Sequence, residues 1–197
     1  MGTLLNRRRY MSKVDGGILP PGYTQLVGIK NTSTAYLPIS VPLGTNVRYE
    51  LESMGNGPHF SWNTSGNREI IIFFQNRTTC YLNGAFSAPN FSTSQKYKIV
   101  IDLAHESEYA RAYIDDVKVR ETTINIDSGA SVQLFRDANR GNNLKITIYA
   151  FKAYSGDSLV NNYIPAMRKS DNKVGVYDIA SNEFITSPNG VDFVAVT

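Results

Sequence analysis

No stretch of this chain carries a 3.6-residue apolar period closed by helix caps; its apolar residues instead alternate with polar ones in short runs broken by turn residues. In Val47-Arg48-Tyr49-Glu50-Leu51-Glu52 the apolar side chains fall on one face and the charged ones on the other. Lys96 to Leu103 repeats the pattern, with Ile99, Ile101 and Leu103 inward and Lys98 and Asp102 outward. Such a chain can fold only as strands that bury one face. The spacing of about a dozen short runs predicts an all-β domain, a two-sheet antiparallel β-sandwich of the jelly-roll kind. Its 197 residues, 42% hydrophobic with 12 Tyr and 9 Phe, suffice for one such unit with a real core.

In chain order, residues 1–18 are polar, basic and without period, and read as a flexible N-terminal arm. Leu19-Pro20-Pro21-Gly22 marks the entrance to the folded domain, 19–197. Strands are expected over Tyr23 to Ile29, Ala35 to Val41, Val47 to Glu52, Ile70 to Phe74 and Thr79 to Leu82. Asn83-Gly84 should turn the last of these into Gly84 to Phe91, because both positions tolerate positive φ. Met54 to Asn67, with three glycines and Pro58, reads as a loop or irregular edge. Ala110 to Ile114, the Asp115-Asp116 turn and Val117 to Val119 form a hairpin. Ser131 to Phe135 and Leu144 to Tyr154 follow. The chain then turns at Ser155-Gly156-Asp157, runs extended to Pro165 and turns again at Ser170-Asp171-Asn172. Pro165 lacks an amide hydrogen and belongs at a strand end or sheet edge. The expected core includes Ile71, Phe73, Ile99, Ile101, Ile114, Leu144, Ile146 and Ile148.

Three groups of residues carry a resemblance. Tyr23-Thr24-Gln25-Leu26 with Ile29 and Thr34-Ala35-Tyr36-Leu37 open the domain. Tyr97 to Asp102 and Ala110 to Val117 form its middle hairpin, and Ile164 to Asp171 with Val174-Gly175-Val176-Tyr177-Asp178 close it. Together they resemble the concanavalin A-like (laminin G-like) jelly-roll domains found in phage virion and surface proteins of gut bacteria, over roughly Leu19 to Val196. Asp116 stands where those hairpins usually have glycine, Val27-Gly28 where an acidic-aromatic pair is usual, and Pro38 where a polar residue is usual. The resemblance implies the fold; function does not follow from it, because one fold hosts lectins, glycanases and structural modules.

Catalysis is not expected. Glycanases of this fold that retain stereochemistry need two acids on one strand, with carboxyls about 5 to 5.5 Å apart, and no Glu-x-Asp-x-x-Glu run occurs. Glu106 and Glu108 sit in a polar linker, and His59 and His105 are far apart with no partners at metal or triad spacing. Asp115-Asp116 and Asp137-Ala138-Asn139 read as polar turns rather than calcium ligands, so neither a metal nor another cofactor is expected. The single Cys80 excludes an internal disulfide. A net charge of +3, with basic residues scattered apart from Arg7-Arg8-Arg9, argues against a nucleic-acid-binding face, and no apolar run is long enough to span a membrane. The candidate glycan contact is His59, Phe60, Trp62 and Asn63, an aromatic flanked by hydrogen-bonding groups. Arg7, Arg8 and Arg9 are the candidate partner contact, to other virion proteins or to copies of the chain. The expected function is a non-catalytic structural or adhesion module of a phage particle, located in the virion and contacting cell-surface glycan. The alternative is a secreted or surface carbohydrate-binding or glycan-degrading domain of a bacterium.

Overall fold

A computed structural model describes residues 18–31, 34–41, 44, 46–63, 70–74, 79–81, 85–87, 92–103, 109–123, 131–135 and 145–197, and of 56–63, 70–74, 79–81, 85–87 and 131–133 the backbone alone. All regular structure among them is β: β1 (Tyr23–Gln25), β2 (Gly28–Lys30), β3 (Leu37–Ile39), β4 (Val47–Asn63), β5 (Ile70–Phe74), β6 (Thr79–Tyr81), β7 (Ala85–Ser87), β8 (Tyr97–Leu103), β9 (Tyr109–Ile114), β10 (Val117–Thr123), β11 (Ser131–Leu134), β12 (Lys145–Ser155), β13 (Ser158–Arg168), β14 (Val174–Asp178), β15 (Glu183–Ile185) and β16 (Val194–Val196). Each described pairing is antiparallel. The fold class expected from the alternating runs is borne out.

Strand β4 joins two sheets, and β6 and β7 pair apart from them as a two-stranded sheet. The first part of β4 lies between β8 and β12, in the order β10-β9-β8-β4-β12-β13-β14-β15. Its second part, from Gly57, pairs with β5 on one side and β11 on the other, and β11 pairs in turn with β3. The change of sheet follows Gly55, which has φ +127° and whose missing Cβ would collide with the Lys145 carbonyl on β12. A side chain at that position is excluded by both backbone conformation and space. The Met54 to Asn67 stretch is therefore strand as far as Asn63, not loop. Its glycines and proline allow a long strand to bend from one sheet to the other.

Alternation fixes the core. Val47, Tyr49, Leu51 and Ser53 are buried on β4, opposite Leu103, Ile101, Ile99 and Tyr97 on β8, and Ala110, Ala112 and Ile114 extend the same face on β9. On β12 a register shift between Ile148 and Ala150 inserts one residue. Ile146 and Ile148 before it, and Phe151 and Ala153 after it, are then all buried. Leu37, Ile39, Leu134, Phe135 and Phe193 belong to the same continuous core, with the Phe135 and Phe193 rings 5.0 Å apart. Of the expected core, Ile99, Ile101, Ile114, Ile146 and Ile148 are buried. The side chains of Ile71, Phe73 and Leu144 lie outside the described residues, as does that of Cys80.

Two further expectations change. The run Tyr23 to Ile29 is two strands: the Leu26 N–H makes the last bond to β13, at the Pro165 carbonyl (2.9 Å), the Val27 N–H turns to the Val196 carbonyl of β16 (3.0 Å), and the chain crosses to β12. Pro165 sits inside β13, opposite Val176 of β14, and not at a strand end. Its carbonyl faces the side where β12 has given way to β1, and the N–H and C=O of one strand residue point to the same edge. The missing donor thus falls in the gap between partners, and the β14 ladder loses nothing.

Candidate functional site

The outward face of the first sheet is a grid of charged and aromatic side chains. One row crosses five strands in register: Glu121, Arg111, Asp102, Arg48 and Tyr154, on β10, β9, β8, β4 and β12. Most charges on this face are committed to a neighbour. The Arg111 Nε donates to Glu121 Oε2 at 2.8 Å and the Lys118 ammonium stands 3.2 Å from the same oxygen, which together hold the Glu121 carboxyl below its ordinary pKa. Lys96 pairs with Glu52 at 2.9 Å and Lys98 with Asp116 at 3.1 Å, and both ammonium groups titrate above their usual range for that reason. The Arg48 guanidinium lies 4.2 Å from the centre of the Tyr154 ring, its Nε 3.4 Å from Glu50 Oε1, while the Tyr154 hydroxyl donates to Glu50 Oε2 at 3.3 Å.

Asp102 and Asp157 differ. Among the described residues neither has an ion-pair or hydrogen-bond partner, and both line one polar cleft of about 360 Å³ together with Asn46, Val47, Arg48 and Gly156. That size falls at the small end of ligand sites, which span roughly 300–1,000 Å³. The cleft lies where β4 begins and the β12–β13 hairpin turns. Its walls are fixed by backbone: the Asn46 N–H donates to the Leu103 carbonyl (3.0 Å) and the Gly156 N–H to the Asn46 carbonyl (2.7 Å). Asn46 and Gly156 both adopt the left-handed conformation, at φ 64° and 56°. A rim built from three chain segments thus presents one amide, one guanidinium and two carboxylates.

Another acid, Asp178, belongs to the scaffold. It is 1% exposed at the end of β14 and accepts four hydrogen bonds, from Asn161 Nδ2 (2.8 Å), the Asn162 N–H (2.8 Å), the Ala180 N–H (3.1 Å) and the Ser181 hydroxyl (3.0 Å). Beside it the Tyr163 hydroxyl donates to the Ser40 carbonyl (2.8 Å), and burial raises its pKa above the ordinary tyrosine value. This network ties the β13–β14 hairpin to the segment after β3.

His59, Phe60, Trp62 and Asn63 lie in the second part of β4. Phe60 is in register with Ile72 and Leu134, and Trp62 with Ile70 and Val132. Leu134, opposite Phe60, is fully buried. The side chains of these four residues, all of Arg7, Arg8 and Arg9, and the Glu106–Glu108 and Asp137–Asn139 stretches lie outside the described residues. Among the described residues no three His, Cys, Asp or Glu side chains group as metal ligands, and no helix is long and apolar enough to cross a membrane. The cleft was not foreseen from sequence. Asp102 is recognisable there as outward-facing and Ser155-Gly156-Asp157 as a turn, but their meeting depends on the register of β8, β4 and β12.

No protein-family model and no curated protein matches the chain. Among solved structures it is similar to the alginate lyase AlgAT5 of polysaccharide lyase family 7, with 8% identity and a TM-score of 0.41 over 64% of this chain and 62% of that one. It is also similar to the galectin LEC-6 of Caenorhabditis elegans, with 10% identity and a TM-score of 0.38 over 68% of this chain and 98% of the galectin.

Proposed function

We propose that the chain is a non-catalytic adhesion module of a phage particle that holds a saccharide in the cleft between Asn46, Arg48, Asp102 and Asp157. The observation that carries this reading is the pair of uncommitted carboxylates in one polar recess, on a face whose other carboxylates are mostly paired. Planar acceptors and an amide are suited to the vicinal hydroxyls of a sugar, and fixed walls limit the ordering entropy on binding. The position of the cleft supports attachment. Ile18–Gly22, through which the basic arm joins the domain, is held at the other end of β13: the Lys169 N–H donates to the Gly22 carbonyl (2.9 Å) and Lys169 Nζ to the Pro21 carbonyl (2.8 Å). An eleven-residue strand separates the two, a span of about 33 Å at ~3.3 Å per residue. A tether at one end and a ligand site at the other is the polarity an attachment protein needs.

The same two acids favour a second reading, a glycan-cleaving site, since acid and base carboxyls in one cleft are what glycoside hydrolysis requires. A glycan array probed with the wild type, the Asp102→Asn/Asp157→Asn double variant and Trp62→Ala separates these readings. Binding that falls at least tenfold in the double variant and persists in Trp62→Ala supports the cleft; the reverse pattern moves the contact to the second part of β4. Release of reducing or unsaturated sugar ends by the wild type, lost in the double variant, would replace adhesion by catalysis. Immunogold labelling of purified particles tests the virion assignment.

A further inference from the structure

The charges of the cleft define its ligand more closely, on the reading that it takes a saccharide. Asp102 stands between two arginines in its row, Arg48 on β4 and Arg111 on β9. Among the described residues neither makes a contact-distance ion pair with it, although the Arg111 charge senses Asp102. Arg48 stacks on Tyr154, on the far side of β4, and is neutralised by Glu50; Arg111 reaches across to Glu121, on the far side of β9. Asp157, on the hairpin turn, also has no ion-pair partner among the described residues. Arg111 and Lys118 share Glu121 and Arg48 has Glu50, so three cations face four carboxylates counting Asp102 and Asp157; one net negative charge remains, and it falls on the two acids that line the cleft.

A sugar carrying a carboxylate would be repelled here. Neutral hydroxyls can use the acceptors but leave the net charge in place. We propose that the ligand is an amino sugar with a free primary ammonium, which pairs with the Asp102 or Asp157 carboxylate while neighbouring hydroxyls bond to the Asn46 amide. Arg48, held by Tyr154 and Glu50, bounds the site without cancelling its charge.

Titration calorimetry of the full chain tests this with three probes: β-1,4-linked glucosamine oligomers, the same oligomers fully N-acetylated, and oligouronates, each at low and moderate salt. The free-amine oligomers should bind at least tenfold tighter than the acetylated ones and weaken as salt screens the attraction. In Asp102→Asn and in Asp157→Asn, both outward substitutions with the fold checked by circular dichroism, that preference should shrink. Equal binding of the acetylated oligomers, or tighter binding of uronates, overturns the amino-sugar assignment and leaves the saccharide cleft standing. Displacement of the bound oligomer by spermidine at equal concentration means that charge alone is read, which also overturns it. If the wild type binds none of the three probes and no glycan on an array, the cleft reading and this one fall together.

Discussion

At the scale of single residues, unusual backbone conformations and buried charge mark where substitutions will be felt. The β9–β10 turn is made of two aspartates in the left-handed region, Asp115 at φ 48° and Asp116 at φ 65°, a conformation that glycine adopts without strain. Asp115 has compensation, since its Oδ1 accepts the Lys98 N–H at 2.9 Å. Asp116 has only the pair with Lys98, its own side chain 80% exposed, and exposed pairs contribute about 0–1 kcal/mol. Asp116→Gly should therefore raise stability by up to about 1 kcal/mol, whereas Asp115→Gly should give no gain; urea melts of the two variants check the contrast. Asp178→Asn should do the opposite. An amide there places a donor among four donors, and leaving buried groups unsatisfied should lower stability by about 1–3 kcal/mol each in the same melts.

Among the elements, the hairpins were readable because their information is local. Asp115-Asp116, Ser155-Gly156-Asp157 and Ser170-Asp171-Asn172 each sit between alternating runs, and each is a turn. The length of β4 was not readable. Met54-Gly55-Asn56-Gly57-Pro58 has turn composition, and what keeps it extended is pairing with β12 and then with β5 and β11, partners distant in sequence. Pro165 misled for the same reason, its safe position being defined by where β12 and β1 exchange places. The cleft is harder still, because Asn46, Asp102 and Asp157 come from three segments that only strand register brings together. The β13–β14 turn offers a test of local electrostatics. Arg168 grips Asp171 through two hydrogen bonds, of 3.1 and 2.6 Å, and lowers its pKa to about 2. A carboxyl depressed in the folded state stabilises it above the unfolded pKa, about 4, and that contribution is lost as pH falls through the folded value. Carboxyl-carbon NMR titration should place Asp171 near 2 in the wild type and back toward the ordinary range in Arg168→Ala. Thermal melts of that variant should lose less stability between about pH 4 and pH 2.

For the whole molecule, the proposed roles of the arm and the cleft make a prediction that separates folding from attachment. The domain begins at a latch, in which Pro20 accepts the Tyr23 N–H at 3.0 Å and Lys169 holds Pro21 and Gly22. Tyr23 then packs against Tyr177 (4.7 Å) and Phe184 (5.1 Å). These contacts all lie C-terminal to the basic arm, and the cleft is a strand's length from them; the described contacts of the latch and the cleft are made by residues 18–197. On the proposed reading of residues 1–18 as a partner-binding arm, its arginines would offer bidentate donors to carboxylates or phosphates, at an ordering cost that the new contacts must offset. On that proposal, deleting Met1 to Val14 should leave the melting temperature and any saccharide affinity of the cleft unchanged, and abolish incorporation into particles or oligomers, as read by sedimentation velocity and particle association. Assembly undiminished by the deletion would transfer the partner contacts to the sandwich surface; a fall in saccharide affinity would show that the two ends of β13 do not act independently.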